Sequence, residues 1–493
     1  MAKKERDDMM TEIRTMELNW ITLKSKWIFQ DQEIRLNASS YSFESIKARE
    51  LLENLENKID LDLINNLSEK IFVGARVKRL FTNSKEGIPY LMPIDLFMFN
   101  LKPRKWVRRE TEDLDNWWVD PSTILITQSG TPGRCLLVNK LFKDKVVSPN
   151  VIRVIPNKEG YENVGYLYAY LNTWIGQAFL IKDRYGATVK HIEPHHVANI
   201  PIPRIPDLEE EINQKILEAH KLREEAQELL LKAEEMIYSE LGLPKIDEDD
   251  VEYFGGEIGR LVKAFEVKAS ELGYRLDASY HLPIAHLVVS NLQKVKLDHI
   301  KKLKEVADSF VPPRFKRPYV RDPNDGIPLL QGTHIPQIKP LDIKYIWKRM
   351  KNIEAYIVRK NWILVTCSGT IGRLVLVSDY WDGWTATNHL LRIIPKEKEI
   401  NPGYLAGFLL SIYGQVQFQR LVYGGVVDEI GEAGELFYDI LVLKPRDKSI
   451  ENKIGSLVIE AYNKKDKANQ IEEEAIKELE IYLIEIAEGG EKI

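Results

Sequence analysis

Two hydrophobic rhythms run along the chain, and each occurs twice. Short runs rich in β-branched residues, at 123–127 and 362–366, lie between Gly-containing turns and predict strands, with helical segments following near 166–180 and 404–418. Beyond each block the period changes to 3.6. Ile212, Ile216, Ala219, Leu222, Ala226, Leu229, Ala233 and Ile237 recur at three- and four-residue steps, while Glu209, Glu210, Glu224, Glu225, Glu228, Glu234 and Glu235 fall elsewhere around the helix. Ile454, Leu457, Ala461, Ala468, Ile471, Ala475, Leu479 and Leu483 repeat the pattern. One such stripe would predict a helix lying on its own domain. Two of them, with Ala at several seam positions, predict close antiparallel pairing, and about 30 residues give a rod of roughly 45 Å. The expected fold class is α+β, with two similar domains separated by two long antiparallel helices of coiled-coil type.

The first half matches the second at a spacing close to 239 residues. Ile124-Leu125-Ile126-Thr127-Gln128-Ser129-Gly130-Thr131-Pro132-Gly133-Arg134 corresponds to Ile363-Leu364-Val365-Thr366-Cys367-Ser368-Gly369-Thr370-Ile371-Gly372-Arg373. Gly87-Ile88-Pro89 answers to Gly326-Ile327-Pro328, Arg153-Val154-Ile155-Pro156 to Arg392-Ile393-Ile394-Pro395, and Gly165-Tyr166-Leu167 to Gly403-Tyr404-Leu405. Gly176-Gln177 pairs with Gly414-Gln415, and Arg35-Leu36-Asn37-Ala38-Ser39 with Arg275-Leu276-Asp277-Ala278-Ser279. A period this long is an internal pseudo-two-fold repeat of domains. The expected division is 1–205 for the N-terminal segment and first domain, 206–240 for the first helix, 241–447 for a linker and the second domain, and 448–493 for the second helix.

Composition narrows the function classes. The chain has 493 residues, 44% of them hydrophobic, and a formal net charge of -5. That is enough for several globular cores and excludes a uniformly basic nucleic-acid binder. The charge is unevenly spread: 301–351 holds twelve Lys/Arg against five Asp/Glu, whereas 207–252 holds five against sixteen. Cys135 and Cys367 are the only cysteines, no apolar run approaches a membrane span, and residues 1–6 lead into no signal-peptide core, so a reducing, cytoplasmic setting is expected.

Catalytic signatures are scarce. No Walker motif, intact Gly-x-Gly-x-x-Gly, Cys/His metal spacing or His-Glu-x-x-His occurs. Gly255-Gly256-Glu257-Ile258-Gly259 reads as a turn, and Glu266-Val267-Lys268 is too common a triplet to imply a nuclease. His191, His195, His196 and Glu193 form the one histidine cluster, but His191 falls opposite Glu429 and nothing answers to the other two; a surface loop is expected, with no metal. The cysteines are expected to pack. No catalytic residue is assigned.

Two features could meet nucleic acid. In the loops Gln128, Ser129, Gly130, Thr131, Arg134 and Ser368, Gly369, Thr370, Arg373, glycines admit tight turns and let backbone N–H groups approach an anion, hydroxyls can donate to phosphate, and the arginines add charge. A turn serving only the fold explains the glycines equally well. Ahead of each loop runs a basic and aromatic segment: Lys102, Arg104, Lys105, Trp106, Arg108 and Arg109 in one copy, Lys344, Tyr345, Trp347, Lys348, Arg349 and Lys351 in the other. Such runs are usually solvated faces. These recur at one place while differing in detail, as two domains reading different bases would require; Arg suits guanine and Lys suits phosphate. Lys190 joins this set as a phosphate contact.

Taken together, in this order and twice, these residues resemble the specificity subunit of type I restriction-modification systems. The resemblance runs from about Arg35 to the end, carried by the Ile-Leu-x-Thr-x-Ser-Gly-Thr-x-Gly-Arg segments, the Arg-(Val/Ile)-Ile-Pro strands, the Gly-Tyr-Leu helices, the Ile200-Pro201-Ile202-Pro203 exit and the helix after each domain. It implies two target-recognition domains that each read half of a bipartite site in double-stranded DNA. The helices would act as ruler and as docking surface for two modification subunits, with restriction subunits as further partners. S-adenosylmethionine, ATP and Mg2+ would be needed only by those partners, and no membrane is involved. Some positions depart from the pattern: Ile440-Leu441-Val442-Leu443-Lys444-Pro445 lacks the alternating prolines, Asp428-Glu429 replaces Lys190-His191 and is followed by Glu432 and Glu435, and Asn37 stands where the repeat has Asp277. Two alternatives stay open: a protein-protein tether without DNA affinity, and a degenerate nuclease or methyltransferase.

Overall fold

In the computed structural model, which describes residues 22–30, 34, 36, 38–186, 188–247, 250–251, 264–272, 275–295, 299–423, 427–430 and 437–489, the repeat of the sequence becomes a repeat of strands. Helix α1 (Phe43–Glu56) precedes the first domain. Its strands are β1 (Asp60–Leu63), β2 (Ser68–Phe72), β3 (Phe81–Thr82), β4 (Ile88–Leu91), β5 (Lys105–Val107), β6 (Ile124–Thr127), β7 (Cys135–Leu137), β8 (Val146–Val147), β9 (Val151–Pro156) and β10 (Pro201–Arg204). They form two four-stranded sheets, ordered β2-β9-β6-β7 and β3-β5-β4-β8, and the pair β1-β10 that closes the domain. Every residue of β6 is buried, the pattern of a strand covered on both faces. Helices α2 (Val164–Asn172) and α3 (Trp174–Lys182) cover the first sheet, and Tyr166, Tyr170 and Phe179 pack with Ile124, Ile126 and Ile152.

After helix α4 (Pro206–Leu241) and helix α5 (Pro283–Lys294) the same architecture returns. Its strands are β11 (Ile300–Lys302), β12 (Ala307–Phe310), β13 (Tyr319–Val320), β14 (Gly326–Leu330), β15 (Lys344–Trp347), β16 (Ile363–Thr366), β17 (Leu374–Leu376), β18 (Thr385–Ala386), β19 (Leu390–Pro395) and β20 (Leu441–Leu443). The sheets are β12-β19-β16-β17, β13-β15-β14-β18 and β11-β20, matching the first domain strand for strand. Helices α6 (Pro402–Leu410) and α7 (Ile412–Arg420) follow, and α8 (Lys448–Glu488) ends the described chain.

The single helices expected at 166–180 and 404–418 are each two. Thr173 takes an extended conformation (φ -65°, ψ 159°) and its hydroxyl caps Gly176 N–H, starting a new helix; Ser411 has the same geometry (φ -68°, ψ 167°). The corner is tight. A Cβ on Gly176 would lie 2.1 Å from Tyr170 O, and one on Gly414 2.3 Å from Leu409 Cα. Gly414→Ala is therefore expected to destabilise the chain by about 1–3 kcal/mol, the usual range for overpacking, seen as a lower urea midpoint.

The Arg-(Val/Ile)-Ile-Pro motif is structural. Arg153 and Arg392 are 1% and 0% exposed. Arg153 donates to the carbonyls of Val151, Val147 and Ser148, and Arg392 to those of Thr387, Ala386, Leu390 and Tyr356. Each guanidinium thus ties β9 or β19 to the short parallel strand of the other sheet. Burial pulls both down to about 10.

Helices α4 and α8, 36 and 41 residues long, pair antiparallel. At 1.5 Å per residue they are roughly 54 and 62 Å rods. Arg223 donates to Asn469 Oδ1 (2.7 Å), Lys464 pairs with Glu225 (2.8 Å), and Lys215 pairs with Glu478. Ala219 and Ala468 lie in the seam between them. The first domain's core includes Ile212 and Ile216 with Leu479 and Leu483; the second domain's includes Ile237 with Ile454 and Val458. The two cores thus occupy opposite ends of the pair, yet the domains also touch: residues 97–99 of the first pair with 336–338 of the second over the middle of the helices. No helix among the described residues is long and apolar enough to cross a membrane.

Candidate nucleic-acid interface

Each Ser-Gly-Thr loop is closed by the threonine before it. Thr127 Oγ1 donates to Thr131 O (2.6 Å) and accepts from Arg134 N–H (3.0 Å), while Gly133 N–H donates to Thr127 O (2.9 Å). Thr366 does the same with Thr370, Arg373 and Gly372. Gly130, Gly133, Gly369 and Gly372 all have φ between 80° and 92°, which explains their identity. From behind, Gln177 and Gln415 donate to Gly133 O and Gly372 O (2.9 and 3.0 Å).

The loop amides also hold a second segment. Gly130 N–H donates to Lys190 O (3.1 Å) and Gly369 N–H to Asp428 O (2.8 Å), with bridges Ser129–His191 and Ser368–Glu429 alongside. Ser129 Oγ is 2.7 Å from His191 Nδ1. The glycine amides therefore serve the turn, and contact with an anion falls to side chains. Exposed Lys190 flanks one loop, whereas Asp428 flanks the other, so the two faces differ in charge. Glu432 and Glu435 lie outside the described residues, as do Arg35, Asn37, residues 255–259 and residues 1–21. His196 Nδ1 accepts from Glu193 N–H (3.1 Å), and among the described residues no group of three His, Cys, Asp or Glu could hold a metal. Both cysteines are buried, and burial raises their thiols, Cys367 to about 11.

The basic and aromatic segments fall on β5 and β15 and their flanks. The register sets Trp106 opposite Pro89 and Tyr345 opposite Pro328, so the counterpart of Trp106 is Tyr345, and Trp347 occupies the place of Arg108. The ammonium of Lys105 lies 5.0 Å above the Phe81 ring, and that of Lys344 5.2 Å above Tyr319. Lys102 pairs with Glu234 of α4 (2.6 Å), Arg104 with Asp95, and Arg134 with Asp342 of the second domain (2.9 Å). Lys348 donates to Asn324 O (2.6 Å), and Trp347 is 44% exposed. Arg108, Arg109, Arg349 and Lys351 are exposed with no ion-pair partner among the described residues.

The sequence reading missed a second basic group beside the loops. Arg76, Lys78 and Arg79 follow β2, and Arg314, Lys316 and Arg317 follow β12, linking one sheet of each domain to the other. Arg76 reaches Gln128 Oε1 (3.3 Å), and Arg317 reaches Asn388 Oδ1 (3.5 Å). His389 is held below its usual range by burial and by Arg317 and Arg314. For the group at 314–317, the excess of charge over 301–351 is the available signal. Between the domains, Ser129, Thr131, Arg134, Lys344 and Arg373 line a cleft of about 460 Å³.

Comparison with known proteins gives one family match: residues 299–428 match the type I restriction modification DNA specificity domain. No curated protein matches the chain. Among solved structures, the chain is similar to a type I restriction-modification system S subunit from M. genitalium at 13% identity, over 89% of this chain and 98% of that one, with a TM-score of 0.33. It is similar to the HsdS subunit from Thermoanaerobacter tengcongensis at 11%, over 87% and 95%, with a TM-score of 0.27.

Proposed function

We propose that this chain, which carries a type I restriction-modification DNA specificity domain at residues 299–428 and the same strand order again in β1 to β10, is the specificity subunit of such a system. Each domain reads one half of a bipartite site in double-stranded DNA. The antiparallel helices set the spacing and dock two modification subunits, with restriction subunits joining the assembly. Methyl transfer and cleavage, with S-adenosylmethionine, ATP and Mg2+, belong to those partners, and this chain contributes recognition. The observation that carries this reading is the family match on one domain combined with the strand-for-strand duplicate of that domain. The exposed cations Arg108, Arg109, Arg349 and Lys351, with the basic links at 76–79 and 314–317, supply phosphate contacts, and the differing side chains beside each loop suit two different half-sites.

The test is co-purification with the modification subunit encoded beside the gene, followed by genome-wide mapping of methylated adenines with and without this chain. One bipartite motif should vanish with the chain; unchanged methylation would overturn the proposal. Arg108→Ala with Arg109→Ala is expected to weaken binding to all duplexes and to lower the slope of log affinity against log salt by about 0.9 for each lost phosphate contact. A chain acting only as a tether would keep its activity in that variant.

A further inference from the structure

The contact between the two domains lies on the pseudo-two-fold axis. Phe99 N–H donates to Pro336 O (2.8 Å) and Ile338 N–H to Phe97 O (2.9 Å), with Met98 facing Gln337 in an antiparallel bridge. Met98 and Gln337 are separated by the repeat spacing itself, so one segment meets its own counterpart, as at an isologous interface. The helices seat it symmetrically: Gln227 Nε2 donates to Phe99 O (3.1 Å) and Asn469 Nδ2 to Ile338 O (2.9 Å). The Phe99 ring is 4% exposed and meets Tyr462 edge-on at 5.2 Å. Each domain is thus fixed at its own end of the helix pair and again at the centre, against the other domain.

B-form DNA turns once in 10–10.5 base pairs over about 34–36 Å, so one base pair more or less between half-sites displaces them by about 3.4 Å and rotates them by about 34°. Backbone hydrogen bonds do not survive such a shift, since little interaction remains past roughly 3.5 Å. From this we infer that the clasp of Phe97–Phe99 on Pro336–Ile338 is a specificity-determining element: it stays shut on DNA and, with the helices, permits one spacer length. This rests on the DNA-reading function proposed above.

Met98 and Gln337 form a non-hydrogen-bonded antiparallel pair, the type with Cα atoms about 4.5 Å apart, which is within disulfide range. The native Cys135 and Cys367 are buried. Met98→Cys/Gln337→Cys therefore gives a reversible lock, and Ile338→Pro removes one donor. Both variants, assembled with modification subunits, are tested on duplexes with the native half-sites and a spacer of native length, one base pair shorter or one longer. The oxidised lock is expected to bind the native-spacer duplex as tightly as the reduced protein does. Ile338→Pro is expected to keep its half-site preference while losing at least tenfold of its discrimination between spacers. Binding abolished by the disulfide and restored by reductant would overturn the inference, because the clasp would then open on DNA. Full discrimination in a folded Ile338→Pro complex would overturn it too. A wild-type complex without bipartite preference would remove the DNA-reading function as well, whereas failure of the clasp alone leaves the wild-type motif intact.

Discussion

Replacing residues 60–204 with the corresponding segment of another two-domain chain is expected to change one half of the methylated motif and leave the other half untouched. The boundaries follow from β1 and β10, whose pairing sets Asp60 opposite Arg204, so the segment enters and leaves the domain at adjacent points. A cut at residue 80 would separate β2 from its partner β9 and destroy the first sheet. Each mismatched base pair costs about 1–3 kcal/mol, so with several bases changed the original half-site should be bound at least roughly 100-fold more weakly. The exchanged segment also carries Phe97–Phe99, half of the clasp. A donor whose equivalent residues do not fit Pro336–Ile338 should therefore alter the spacer along with the half-site, while a donor that fits should not. Methylation mapping in cells expressing the chimera reads both properties at once. An unchanged motif would contradict the assignment of one half-site to each domain.

The repeat was legible because its markers are local. Thr127 and Thr366 close their own turns, Gly130 and Gly369 are required by positive φ, and Gly176 and Gly414 by a close approach, so each constraint leaves its imprint within a few residues. The helix seam was legible for the same reason. Residues whose role depends on a distant partner were not. A strand arginine such as Arg392 reads as a surface residue until the carbonyls of Thr387, Ala386 and Tyr356 are seen around it. Lys465 falls on the seam face, four residues after Ala461 and three before Ala468, but nothing local shows that a lysine is accommodated there by the Trp381 ring, 4.5 Å from its ammonium, at 1% exposure. The pairing of Phe99 with Pro336 has no local trace at all. The candidate interface shows the same division: Lys102, Arg104 and Arg134 looked equivalent to Arg108 and Arg109 in sequence, but their charges are taken up by Glu234, Asp95 and Asp342.

Glu472→Leu is expected to cost about 3–5 kcal/mol, the usual loss when one partner of a buried ion pair is removed. The Glu472 side chain is 4% exposed and accepts from Arg223 of α4, from Lys339 of the second domain (2.9 Å) and from the Tyr168 hydroxyl of the first (3.1 Å). Its loss strands Arg223, whose side chain is only 11% exposed. Arg223→Met combined with Glu472→Leu should recover much of the stability, because an apolar pair of similar volume replaces the buried Arg223–Glu472 pair, while Lys339 keeps Glu473 at 3.6 Å. Although burial disfavours the charged form, Arg223 and Lys339 hold the carboxyl down at about 2, against an ordinary 4.5. A carboxyl with a depressed folded-state pKa stabilises fully above its unfolded value, and that stabilisation is lost as pH falls through the folded value. Stability should therefore decline from about pH 4.5 towards pH 2, and Glu472→Gln should remove this part of the decline. One carboxylate joins both domains to both helices, so the damage should not stay local. In urea, the wild-type chain is expected to unfold in one transition and the Glu472→Leu chain in two, as the domains uncouple. A Glu472→Leu chain that unfolds in one step within about 1 kcal/mol of wild type, inside the usual scatter of surface substitutions, would show that the centre is held by the clasp and the apolar seam without this charge.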